Sequence, residues 1–81
     1  MNIDYYIGYA TKYAKSIGLT IDTSATECWD NPICVTTKTT NAESNISSRL
    51  DRYKNIEGFT SVCIRHEKVE KNDYNIYIGY A

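Results

Sequence analysis

The last stretch of the chain, Tyr74-Asn75-Ile76-Tyr77-Ile78-Gly79-Tyr80, limits the possible folds more than any other. In an extended strand Tyr74, Ile76, Ile78 and Tyr80 share one face, and Asn75, Tyr77 and Gly79 share the other. A strand this apolar is expected inside a sheet, with its backbone hydrogen bonds completed on both edges. The rest of the chain is therefore expected to assemble on a central strand that comes last.

Two helices are expected before it. From Asn2 to Ile17, the residues Ile3, Tyr6, Ile7, Ala10, Tyr13, Ala14 and Ile17 recur at three- and four-residue spacing as one apolar stripe. Asn2 is placed to cap this helix, and Gly18 to stop it. Between Asn41 and Glu57, the stripe is Ala42, Ile46, Leu50 and Tyr53. Thr40 and Glu43 have the spacing of a capping box, Gly58 follows as a stop, and Phe59 can fold back on the last turn.

The remaining segments read as strands. Leu19, Ile21, Thr23 and Ala25 alternate with polar residues, as do Ile33, Val35 and Thr37. Trp29-Asp30-Asn31-Pro32 is a turn by composition, which predicts a hairpin between these two segments. Residues 59–69 are rich in β-formers and precede a polar turn at Glu70 to Asp73. The expected class is α+β with the order αββαββ: a four-stranded, antiparallel-rich mixed sheet with both helices on one face. Moving the first strand of a ferredoxin-like fold to its end gives this order. With the expected strands numbered along the chain, the sheet would run 3-4-2-1. Tyr-Ile-Gly-Tyr-Ala occurs at both 6–10 and 77–81, once in an expected helix and once in an expected strand. The two copies are out of register with any αββ repeat, so they do not argue for a duplication.

Eighty-one residues with 42% hydrophobic and 23% charged side chains make one globular domain, 1–81. The formal net charge of −1 argues against a general polyanion binder. No apolar run is long enough to span a membrane, and no signal peptide is visible. Together with an odd number of cysteines, this predicts a cytoplasmic protein with reduced thiols.

Little in the chain points to chemistry. Cys28, Cys34, Cys63 and His66 contain the residue types of a zinc site, but their spacings, C-x5-C and C-x2-H, do not match the tight knuckles that hold structural zinc. Cys63 and His66 are three apart in an expected strand and point to opposite faces, which also removes the one local nucleophile–base pair. There is no phosphate-binding glycine loop and no nucleophile elbow. No metal, no cofactor and no catalysis are expected, and His66 is expected at a sheet edge.

Binding surfaces are the better candidates. Tyr5, Tyr9 and Lys12 lie outside the first helical stripe, and Arg49 and Arg52 form a comparable flank on the second helix. Trp29 beside its turn is a further candidate anchor. The outer sheet face would carry Lys38, Arg65 and Tyr77, a cation-and-aromatic set of the kind that stacks single-stranded bases. The expected function is a small non-catalytic adaptor or inhibitor of a larger protein or nucleoprotein. An abundance of Asn, Lys, Tyr and Ile suggests an accessory protein of a phage or mobile element. The alternative is a regulator that binds RNA or single-stranded nucleic acid through the open sheet face.

Overall fold

The computed structural model describes residues 2–81. Its elements are α1 (Ile3–Ser16), β1 (Thr20–Ile21), β2 (Cys28–Trp29), β3 (Ile33–Val35), α2 (Ala42–Asn55), β4 (Ser61–Glu70) and β5 (Asp73–Tyr80). The protein is a small α+β domain with two helices and a five-stranded mixed sheet. The sheet runs β1-β4-β5-β2, and β3 pairs with β5 alongside β2.

The terminal strand is interior, as its composition predicts. β5 pairs antiparallel with β4 from Val62↔Tyr80 to Glu70↔Asp73, and its other edge takes β2 and β3. Ile76 and Ile78 are fully buried in one cluster with Val62, Ile33 and Val35 of the sheet. The helices supply Ile3, Ala10, Ala14, Ala42, Ile46, Leu50 and Tyr53 to that cluster, so both cover the same sheet face. The stripe expected on α2 is buried in full, whereas Tyr6, Ile7, Tyr13 and Ile17 of α1 are half-buried at the margin.

The helix ends follow local chemistry, with one exception. The Asn2 side chain accepts the Asp4 N–H, capping α1. Gly18 and Gly58 take positive φ angles of 90° and 73° at the two helix stops. Phe59 folds back as expected: its N–H reaches the Tyr53 carbonyl, and its ring meets that of Tyr53. The Thr40–Glu43 capping box does not form; Asn41 occupies the cap position without a side-chain bond. The Glu43 carboxylate instead accepts the Tyr5 hydroxyl at 2.8 Å. A second bond of the same kind, Tyr13 to Asp51, lies one step further along both helices. Since 5 pairs with 43 and 13 with 51, α1 and α2 run in the same direction.

That direction corrects the predicted topology. The segments after Gly18 and after Gly58 leave parallel helices, so β1 pairs parallel with β4, Thr20 against Ser61 and Ile21 against Val62. The predicted hairpin between residues 19–25 and 33–38 is absent, and so is the order 3-4-2-1. The first strand lies at the edge opposite the one predicted, and it has two residues rather than seven. Its continuation turns at once: the Asp22 carboxylate accepts both the backbone N–H and the hydroxyl of Ser24. The strand count also differs, because Cys28–Trp29 forms a strand on β5, taking in Trp29, which was expected to open a turn.

With β1 beside β4 and β2 beside β5, residues 22–27 must cross the sheet on the face away from the helices. The crossing is made over Cys63 and Gly79, which are paired there. Ala25 of the crossing is buried against the sheet, and Cys63 is buried beneath it. A Cβ on Gly79 would stand 2.6 Å from the Ala25 carbonyl and 3.1 Å from the Trp29 ring, so no other residue fits.

The two copies of Tyr-Ile-Gly-Tyr-Ala give a matched test. Gly8, in α1, has open space around it. Gly8→Ala should stabilise the protein by about 1 kcal/mol, and Gly79→Ala should destabilise it by about 2–3 kcal/mol, in denaturant unfolding. Equal effects at the two sites would contradict the crossing. In the core, Ile78→Ala should cost about 2–4 kcal/mol by the same measurement.

Candidate functional site

The residues singled out from the sequence are distributed over three surfaces. Tyr5, Tyr9 and Lys12 lie on the flank of α1. Tyr5 is 54% exposed, but its hydroxyl is held by Glu43. That hydrogen bond and the neighbouring charge raise the Tyr5 pKa. Tyr9 is half-buried and stacks on Tyr13, with 6.1 Å between ring centres. Shallow grooves run past Tyr9 and Lys12 on either side.

Arg49 and Arg52 project from the opposite flank of α2, towards the turn after β2. Arg49 donates to the Asn31 carbonyl at 2.6 Å, and Arg52 pairs with the Asp30 carboxylate. The buried Tyr53 hydroxyl donates to the same carboxylate oxygen at 2.9 Å. Burial works against the charge on Asp30. The Asn31 N–H, the Tyr53 hydroxyl and the two guanidinium groups outweigh it and hold the carboxyl below its usual value. Burial above all, then the hydrogen bond to Asp30 and its charge, drives the Tyr53 phenol far up against the opposing influence of Arg49. A cleft of about 560 Å³ opens beside this cluster, lined by Pro32, Cys34, Asn45, Ser48 and both arginines. The arginines at its wall are engaged in fastening the 30–31 turn to α2.

The outer sheet face brings together residues that the sequence placed in two separate candidate sets. Trp29 stands opposite Gly79, on the face that also carries Cys63, Arg65 and Tyr77. Trp29 is 41% exposed, and the Arg65 guanidinium lies over its ring at 5.7 Å from the centroid. Arg65 is paired with Tyr77 across the β4–β5 ladder. Trp29, Arg65, His66, Glu67 and Tyr77 line a shallow cleft of about 260 Å³. Lys38 does not join them. It sits in the turn after β3, where its N–H donates to the Thr36 hydroxyl. The missed signal was Gly79: a glycine on the outward face of a central strand marks a close approach, and Trp29 is what approaches.

His66 is exposed on β4, with its ring edge-on to Tyr74. Cys28 and Cys34 are exposed, and Cys63 is buried under the crossing. Among the described residues, no three His, Cys, Asp or Glu side chains come together in a way that could hold a metal ion. No helix among them is long and apolar enough to cross a membrane.

No known protein family, no curated protein and no solved structure matches this chain.

The Asp30 cluster predicts a pH dependence. A carboxyl whose pKa is lowered by folding stabilises the native state above the ordinary carboxylate value of 3.8, and that stabilisation fades as pH falls below it. Asp30→Asn should therefore cost about 1–2 kcal/mol at pH 7, with the difference from the wild type shrinking towards pH 3 in urea unfolding. A gap that stays constant over this range would show that the charge is not what fastens the turn.

Proposed function

We propose that this chain is a small non-catalytic binding module that captures a larger protein through the outer face of its sheet. Trp29, Arg65 and Tyr77 are the anchors. The observation that carries this reading is their convergence around one shallow cleft. Trp, Tyr and Arg are the residue types that dominate binding energy at protein interfaces, because each presents a large, rigid or planar contact with few rotamers to freeze. Three of the other candidates have prior engagements. Arg49 and Arg52 hold the 30–31 turn, and the Tyr5 hydroxyl is bonded to α2. An adaptor or an inhibitor that covers a site on its target would both use such a face.

A second reading, favoured by the guanidinium stacked on Trp29 beside Tyr77, is single-stranded nucleic acid threaded over the same face. The net charge of −1 and the nearby Glu67 weigh against it, since a polyanion needs a surplus of cations along its path.

Affinity capture from extracts of native host cells, followed by titration of the captured partner, tests the reading. Arg65→Ala/Tyr77→Ala should keep the native melting profile yet lose about 2 kcal/mol or more of affinity. Tyr5→Ala/Tyr9→Ala on the α1 flank should lose far less. The opposite ranking would move the interface to the helices. Affinity for an oligonucleotide that falls steeply with salt would favour the second reading.

A further inference from the structure

One edge of β4 is unpaired over most of its length. β1 covers only Ser61 and Val62 of this ten-residue strand. Ser61 exchanges backbone hydrogen bonds with Ala81 in both directions. Antiparallel alternation then turns the backbone groups of Cys63, Arg65 and Glu67 towards β5, and those of Val62, Ile64, His66 and Lys68 towards the other edge. The Val62 carbonyl confirms this parity, because it accepts the Asp22 N–H from the β1 side. Beyond it, Ile64, His66 and Lys68 present an unpaired row of donors and acceptors, and residues 65–70 are exposed.

We propose that the chain forms a two-fold dimer by pairing this edge, antiparallel, with the same edge of a second copy, His66 opposite His66. The charges on β4 select the occupant and the register. Centring the pair on Arg65 or on Glu67 sets that residue against itself. Centring it on Ile64 requires Val62, which β1 already occupies. Centring it on Lys68 places Arg65 against Lys71 and runs through the irregularity between Lys68 and Glu70. Centring it on His66 uses only the regular part of the strand. Arg65 then faces Glu67 of the second copy, twice by symmetry, and Ile64 faces the stem of Lys68. Among the described residues the ion pairs within one chain are those of Asp30, so neither Arg65, whose guanidinium lies over Trp29, nor Glu67 is committed to an ion pair. Opposite charges directly across an antiparallel pair stabilise it, and like charges disfavour it. The charges that guard this edge against indiscriminate pairing thus permit one self-complementary alignment. The axis is perpendicular to the sheet, so the two Trp29–Arg65–Tyr77 faces lie on the same side of one continuous sheet.

Sedimentation velocity of the full chain over a concentration series reaching about 0.5 mM tests this, since strand-edge dimers of this size are weak. A concentration-dependent species of twice the monomer mass is expected. His66→Pro removes an outward N–H and no bond to β5, so it should leave a folded monomer. Arg65→Glu alone should weaken the dimer about tenfold, and Arg65→Glu/Glu67→Arg should restore it. The charge variants keep the test valid if the proline variant fails to fold. A monomer at every concentration, which would leave the edge to an extended peptide of another protein, overturns the proposal. So does a dimer that survives His66→Pro in folded form, or one that the double exchange fails to restore.

Discussion

The arrangement depends on one close contact, the Ala25 carbonyl against Gly79. The chain delivers β1 to one side of the central pair of strands and β2 to the other. A connection of six residues between Ile21 and Cys28 has to pass over the sheet to do this. It can pass at van der Waals distance only where the sheet surface has no side chain to lift it. Gly79 provides that gap, and its small partner Cys63 extends it across β4. The crossing then seats Trp29 on Gly79, so the same contact that permits the topology also positions the most exposed aromatic of the outer face.

The polar flanks of the helices are used as fasteners more than as display surfaces. Asp30 receives a buried phenol and two guanidinium groups, which ties the turn after β2 to α2 and lets β3 follow along β5. On the other flank of α2, Glu43 and Asp51 hold the Tyr5 and Tyr13 hydroxyls. These bonds join α1 to α2 in parallel alignment, beside the shared core of Ile3, Ala10, Ala14, Ile46, Leu50 and Tyr53. Parallel helices ending in left-handed glycines send their following strands off side by side, which explains the parallel pairing of β1 with β4. The fold of the sheet edge is thus decided by contacts between helices.

The repeated pentapeptide isolates the role of context. In α1, Tyr6-Ile7-Gly8-Tyr9-Ala10 puts Ala10 in the core and leaves Gly8 in solvent. In β5, Tyr77-Ile78-Gly79-Tyr80 buries Ile78 on the helix face and Gly79 beneath the crossing. Residues before Tyr6 continue a helical stripe and residues before Tyr77 continue an alternation, and the shared residues adopt whichever period their neighbours set. Five residues carry too little propensity to override this.

Period and local chemistry were legible from the sequence alone. They determined both helices, the burial of Ala42, Ile46, Leu50 and Tyr53, the helix stops at Gly18 and Gly58, and the interior position of β5. Each of these rests on interactions within a few residues or on the apolar density of one strand. The neighbour of β1 was not legible, because alternation in residues 19–25 says that a strand can form and not which edge will receive it. Helix direction, which the Tyr5–Glu43 and Tyr13–Asp51 bonds report across thirty-eight residues, accompanies that placement and has no signal in the local sequence. The candidate site divides in the same way. Sequence placed Arg65 and Tyr77 together on the outer sheet face, with Lys38, and marked Trp29 separately beside its turn. Only the tertiary structure could place the indole over Gly79 and the guanidinium over the indole, because that requires the chain to cross the sheet where a side chain is missing.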